Sequence, residues 1–342
     1  MGMTIRDIAR LAGVSHATVS RVINNNPNVN EETREKIKKL IKENKFSPNS
    51  SARSLISGKT NNIGLLILYD LFQKQFPLDF LPAVLAGMVT RLNEYDYNLS
   101  LLFNQLQEKK DLIDLYKLSR NNYDGIFVLS LEKDSELAYK LGKISLPLVL
   151  VNQKIEGLDI NYVVTDDETG AYEACMHLIN LGHKKIGFIE GDPRYGTSVE
   201  RKRGYYLALN NSGIDADLSL QKVGYYDQTG GYVAMQELLK ENKGITAVFA
   251  SNDFMALGAM KAIKEKGLRI PEDIAVVGFD DTEFAALVEP AMTTVRKPRT
   301  LMGYQAANLM INLLKDTENE KAMSIVLPAN LIVRKSSEFS RT

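Results

Sequence analysis

The 342 residues, 44% apolar and 25% charged, can bury a large core, and that length suits two or three domains. The formal net charge of zero hides an asymmetry: residues 1–60 carry 11 Lys or Arg against 5 Asp or Glu, and the remainder carries 31 against 37, as expected if only one end of the chain sits on phosphates. The lone cysteine, Cys175, excludes an intramolecular disulfide framework, and three scattered histidines offer no metal-ligand spacing, so neither a metal nor a cofactor is implied. No apolar h-region precedes the first helix pattern and no run approaches the roughly 20 apolar residues of a membrane span, which predicts a cytoplasmic protein without a membrane partner.

Thr4 followed by Asp7 is a capping-box start, and Ile5, Ile8, Ala9 and Ala12 then fall on one helical face. The first helix ends near Ala12 because Gly13 takes the left-handed conformation at no steric cost. Ser15 caps a second helix after this short turn, which predicts a helix-turn-helix. On that second helix Val19, Val22 and Ile23 face inward, leaving His16, Ala17, Ser20, Arg21 and Asn24 outside. Such a face suits a DNA major groove: Arg21 can pair with guanine in bidentate fashion, His16 can donate or accept, and Ala17 can meet a thymine methyl. Thr18 and Ser20 read as phosphate or packing contacts, and Thr4 joins Ser15 in the set expected to touch DNA. Asn30 caps a third helix, whose Ile37, Leu40 and Ile41 close the small core, with Phe46 sealing its end.

Residues 50–57, between Ser47-Pro48-Asn49 and Gly58, have the length of two helical turns, too short to be stable alone. Arg53 suits a phosphate, and Leu55 is an apolar side chain without an obvious core, hence a candidate minor-groove wedge. A plain polar linker is the competing reading.

Beyond residue 61, short apolar runs alternate with helix patterns: Ile63 to Leu68, Leu99 to Phe103, Gly125 to Leu129, Leu146 to Val151, Lys185 to Ile189, Ala247 to Ala250 and Ile274 to Phe279. Alternation of this kind predicts parallel βαβ units. Asn252 and Asp280 fall just past two of these strands, and Arg201 lies in the helix after Glu190-Gly191-Asp192-Pro193. Asp166-Asp167-Glu168 reads as an acidic helix start rather than a catalytic pair, and Cys175 as a small core residue.

These residues resemble the lactose-repressor (LacI) family. The matching text is Thr4-Ile5-Arg6-Asp7-Ile8-Ala9, Ala12-Gly13-Val14-Ser15, Ala17-Thr18-Val19-Ser20-Arg21-Val22 and Ala52-Arg53-Ser54-Leu55, continuing through Leu181-Gly182-His183, Ser251-Asn252-Asp253, Val276-Val277-Gly278-Phe279-Asp280 and Thr293-Thr294-Val295. The resemblance implies a small all-α helix-turn-helix head joined to an α/β, two-lobed, periplasmic-binding-protein-like sensor with parallel sheets. It implies residues 1–46 as the DNA-binding domain, 47–60 as hinge helix and linker, and 61–342 as the ligand-binding and dimerisation domain. The N-lobe is expected at about 61–161 and 291–320, the C-lobe at about 162–290 and 321–342. By the same resemblance Ala52, Arg53 and Leu55 contact DNA, with Leu55 prying the central step of a pseudo-palindromic operator bound by a homodimer or a dimer of dimers. Arg201, Asn252 and Asp280 are the implied ligand contacts, with Tyr226 and Phe80 as stacking partners for a sugar or sugar phosphate. The head is also similar to the catabolite-control branch, from which His16 departs and which raises a phosphoprotein corepressor as an alternative. A solute-binding module without DNA function is opposed by the basic head. An enzyme is opposed by the absence of G-x-G-x-x-G, Walker-type and G-x-S-x-G motifs. The expectation is therefore a DNA-binding transcriptional regulator, a repressor under small-molecule control and not an enzyme.

Overall fold

The computed structural model describes residues 3–23, 26–44, 46, 59–68, 80–104, 122–129, 131–133, 136–144, 146–241, 244–315 and 321–339. The expected hinge helix, with Ala52, Arg53 and Leu55, lies outside the described residues, as do Asn24 and residues 69–79. Two compact units emerge, the first ending at Asn61 and the second beginning at Asn62.

The first unit is all-helical: α1 (Ile5–Ala12), α2 (His16–Ile23) and α3 (Glu31–Glu43). Thr4 and Asp7 form the reciprocal capping box, and Gly13 stands at φ 70° past the end of α1. The Ser15 hydroxyl accepts from the Thr18 amide at 3.1 Å, and the Asn30 side chain accepts from the Thr33 amide at 2.8 Å. Ile8, Val19 and Ile37 are fully buried and, with Ala9, Ala12, Val22 and Phe46, make the small core, while Ile23, Leu40 and Ile41 pack half-buried against it.

The second unit holds two parallel sheets. The first lobe comprises β1 (Asn62–Leu68), α4 (Phe80–Asn93), β2 (Asn98–Asn104), β3 (Gly125–Leu129), α5 (Glu136–Leu141), β4 (Leu148–Val151) and β5 (Asn161–Thr165). The second comprises α6 (Asp167–Asn180), β6 (Ile186–Glu190), α7 (Gly196–Asn211), β7 (Gln221–Val223), α8 (Gln228–Glu241), β8 (Ala247–Ala250), α9 (Asp253–Glu265) and β9 (Ala275–Val277). Then follow β10 (Thr294–Arg296), α10 (Arg299–Lys315), β11 (Ser324–Leu327) and β12 (Asn330–Ile332). The six-stranded sheet runs β11-β5-β4-β3-β1-β2 and the four-stranded sheet β7-β6-β8-β9, with β10 and β12 paired antiparallel beside the latter. Strands such as Gly125–Leu129 are buried along their whole length, which is why they read as continuous apolar runs: helices cover both faces of a parallel sheet.

The expected run from Leu146 starts two residues later as a strand, beyond Pro147, which has no amide proton for the ladder but whose carbonyl accepts from Ile126. The lobe boundaries also differ from expectation. Strand β5 pairs with β4 and β11 with β5, so the first lobe extends to Thr165 and takes 324–327, whereas β10 and β12 stay with the second lobe. The chain thus crosses between lobes three times, near Asp166, near Lys297 and near Pro328. The physical reason is the ladder: β5 and β11 satisfy their backbone groups on the first sheet's edge, a long-range pairing that periodicity does not reveal. Helices α4 and α10 close the first lobe by an approach so tight that a Cβ on Gly87 would lie 1.9 Å from the Thr300 carbonyl oxygen, and one on Gly303 would lie 1.9 Å from that of Val84.

Candidate nucleic-acid interface and ligand cleft

On the head, Thr4, Ser15, His16, Ala17 and Arg21 are exposed, and Thr18 and Ser20 are half-buried. The Thr4 hydroxyl is committed to Asp7 at 2.6 Å, and those of Ser15 and Thr18 lie 2.9 Å apart. Hydrogen bonds from Thr4 hold the Asp7 carboxyl below the usual range, its anion sitting at the positive end of α1. Arg34 is spent on the Asn26 carbonyl oxygen (2.7 Å) and on Glu31 (3.4 Å). Arg21, by contrast, carries no ion pair among the described residues. The outer face of α2 therefore presents a long forked donor, an imidazole and a methyl side by side, the set that can discriminate base edges.

In the second unit the ends of β4, β5, β6, β8 and β9 converge with the start of α7. Arg201, on α7, is buried, with its guanidinium 2.8 Å from Asp167 and 3.4 Å from Asp280 and donating to the Ser251 carbonyl. Its plane lies 3.9 Å from the Phe279 ring centre. Lys297 is buried as well, donating to Asn152 at 2.8 Å and lying 3.1 Å from Asp167. Burial alone would disfavour the Asp167 carboxylate, but Arg201 and Lys297 outweigh it and hold its pKa below the usual value. Burial lowers the pKa of Lys297 and raises that of Asp280, in each case against attraction from the opposite charges around it.

Asp253 lies deeper. Its carboxylate accepts from the Thr282 amide (2.7 Å), the Thr282 hydroxyl (2.9 Å) and the Thr294 hydroxyl (2.5 Å). Burial, helped by Asp280 and opposed by those hydrogen bonds, pushes its pKa up to about 7. A carboxyl raised in the folded state takes up protons more strongly there than when unfolded, so its contribution to stability is complete below about pH 4 and fades as pH climbs to about 7. Replacing Asp253 by Asn, which can still accept from Thr282, should flatten the fall in unfolding free energy between pH 4 and 7 in urea titrations. An unchanged slope would remove Asp253 as its source.

Not every expected contact faces the cleft. Asn252 is occupied structurally: its side-chain oxygen caps α9 by accepting from the Met255 amide (2.8 Å), and its amide donates to the Tyr226 carbonyl (2.9 Å). Phe80 is 4% exposed and sits in the first-lobe core with Val84 and Met88, because it opens the buried face of α4. Tyr226 stands at φ 67°, with its hydroxyl 3.1 Å from that of Thr197, which lines the interlobe cavity, and its pKa pushed up to about 12 by burial. Sequence reading missed Asp167, Lys297, Gln153 and Thr165. Asp166 does cap α6 as an acidic helix start should, its carboxylate accepting from the Thr169 amide at 3.0 Å, while its neighbour Asp167 turns inward. The signal for Asp167 and Lys297 was their place just past strands β5 and β10.

A cavity of about 240 Å³ opens between the lobes, lined among others by Asn152, Gln153, Thr165, Asp167, Thr197 and Glu200. The Gln153 Nε2, Thr165 Oγ1 and, near Arg201, Ser251 Oγ are buried and lack hydrogen-bond partners among the described residues. Buried polar atoms left unpaired cost free energy, which a ligand bearing hydroxyls recovers.

Residues 4–49 match the model of the bacterial regulatory proteins of the lacI family, and residues 175–337 match a periplasmic binding protein-like domain. The probable HTH-type transcriptional repressor ExuR of Bacillus subtilis (strain 168) is 36% identical over 98% of this chain and 98% of its own length. The HTH-type transcriptional regulator CelR of Thermobifida fusca is 34% identical over 97% of this chain and 98% of its own. Among solved structures, a transcriptional regulator CelR-cellobiose complex superposes with a TM-score of 0.75 at 33% identity, covering 98% and 99% of the two chains. A lac repressor dimer bound to operator and an anti-inducer superposes with a TM-score of 0.87 at 27% identity, with the same coverage.

Proposed function

Because this chain belongs to the lacI family of bacterial regulatory proteins, a family of DNA-binding transcriptional regulators, we propose that it represses transcription from a pseudo-palindromic operator and answers to a neutral sugar held between its lobes. The reading places His16, Ala17 and Arg21 on base edges, Thr4, Ser15, Thr18 and Ser20 on the backbone, and Asn24 and the hinge residues Ala52, Arg53 and Leu55 along the same duplex. The protein then works in the cytoplasm, and its cleft serves recognition rather than turnover. The observation that carries the effector assignment is the buried set Arg201, Asp167, Asp280 and Lys297 beside unpaired Gln153, Thr165 and Ser251 atoms. Each of the two buried cations, Arg201 and Lys297, already faces a carboxylate, so the buried part of the cleft offers donors and acceptors in fixed places and a balanced charge. Such a lining suits hydroxyls better than a phosphate. The CelR relative solved with cellobiose supports a sugar. Selection of bound sequences from a random DNA pool, read with and without a panel of neutral sugars and sugar phosphates, tests both halves. A palindrome whose recovery is shifted by one neutral sugar supports the reading; no enrichment, or a response only to phosphorylated sugars, overturns the corresponding half.

The homodimer needs a face. A second hollow of about 440 Å³ on the second lobe is lined by Leu257, Met260, Lys261, Glu265, Val288 and Glu289, beside Leu287, which is 82% exposed. A rim carrying both signs around an apolar floor is self-complementary, as a two-fold contact between copies requires, and the lac repressor relative was solved as a dimer. Leu257→Asp should convert the dimer to monomer in light scattering and weaken operator binding with it; an unchanged mass would move the contact elsewhere.

A further inference from the structure

The lip of the interlobe cavity carries charges in an ordered pattern, with Lys154, Glu156, Glu200 and Arg203 among the residues that line it. On the second lobe, Arg194 precedes α7, and Gly196, Glu200 and Arg203 stand at i, i+4 and i+7, one stripe of that helix turned to the first lobe. Glu200 meets Lys154 at 2.7 Å, Arg203 meets Glu156 at 3.9 Å, and Arg194 meets Glu132 at 2.7 Å. Each pair joins one lobe to the other. Along the seam the second lobe reads plus, minus, plus, and the first lobe reads minus, plus, minus, with Arg194 also held at 2.6 Å by Asp192 of its own lobe. A backbone bond from the Lys133 amide to the Arg194 carbonyl (2.9 Å) lies at one end of the seam, and Tyr195 and Tyr226 pack into the first lobe's Leu131 and Ile155 beneath it.

We propose that these three pairs form a clasp that sets the register in which the lobes close, so that salt and seam charge govern lobe opening in the ligand-free protein. The alternation of sign selects the register. Sliding or twisting the lobes by one pair sets Glu200 against Glu132 or Glu156, and Lys154 against an arginine, so wrong registers are repelled while the right one is attracted. Individually such pairs contribute little, since Arg194 and Arg203 are more than half exposed. At Lys154 to Glu200 the carboxylate is 14% exposed, and burial raises its pKa despite the pull of Lys154, so this pair mainly offsets its own desolvation. A seam of weak, alternating contacts selects one arrangement without locking it, as a two-state element requires.

The test uses the full chain with spin labels on cysteines introduced at the exposed Lys143 and Lys240, one per lobe, and with Cys175 replaced by Ala. In low salt the distance distribution should show one closed population. Near 1 M salt, where the Debye length is about 3 Å, or in the Glu200→Lys/Arg203→Glu variant, the open population should rise by about tenfold. Adding Lys154→Glu/Glu156→Arg on the opposite lobe should restore the closed distance, a recovery that a merely misfolded variant cannot show. An unchanged distribution in the one-sided reversal, or a full reversal that fails to restore it, overturns the clasp.

Discussion

Replacing Arg201 by Met should cost about 3 to 5 kcal/mol of unfolding free energy, the largest loss expected from any single change in the cleft. Methionine fills much of the volume, so the effect isolates charge: Asp167 keeps Lys297, but Asp280 loses the guanidinium 3.4 Å away, and the Ser251 carbonyl loses its donor. A carboxylate buried without its cation either pays desolvation or takes up a proton, so the loss should shrink as pH falls and Asp280 protonates. Urea unfolding at several pH values measures it. A loss below about 1 kcal/mol would mean that the network is not a unit. The companion variant Asp280→Asn keeps the shape and should retain operator binding while abolishing the effector response; a full response would take Asp280 out of recognition.

Arg21→Ala should weaken operator binding by about 1 to 3 kcal/mol and relax the preference at a single guanine. Arg21 stands exposed on α2 with no ion pair among the described residues, so its removal leaves the core of Val19, Val22 and Ile37 untouched and the head folded. Affinity measured on the operator, on single-base variants and on random DNA separates the outcomes. Equal losses on all three would make Arg21 a phosphate contact.

The head was legible in the sequence nearly residue by residue because its determinants are local. Capping by Thr4, Ser15 and Asn30, the left-handed Gly13, and the inward stripe of Val19 and Val22 all act within four residues of themselves. The buried strands were legible for the same reason. The short strands Gln221–Val223 and Asn330–Ile332 were not, since they are half-exposed, three residues long and fixed by distant partners. The family motif pointed to Arg201 and Asp280, whose side chains lie 3.4 Å apart, whereas Lys297 and Asp167 meet only when the chain has crossed between lobes. The same motif put Asn252 in the ligand's path, and its side chain already holds the Tyr226 turn and the start of α9, one donor and one acceptor engaged.

The three crossings also impose an order on the protein's birth. The first lobe's core is built from Ile63, Val84 and Met88 together with Met302, Ala306, Met310 and Leu327, a separation of more than 200 residues in the chain. As the polypeptide leaves the ribosome, β1 to β5 and α4 have no α10 to cover them, and their apolar faces wait while the whole second lobe is synthesised. Once Arg296 has emerged the second lobe lacks the segment from Ala329 to Ser337, which includes β12 and whose Ser336 backbone bonds Val276 and Ala291, but it has both sheet and helices and so can condense first. The amino-proximal lobe is thus the later one to fold, and for most of the synthesis time it is the part of the nascent chain in need of chaperone protection.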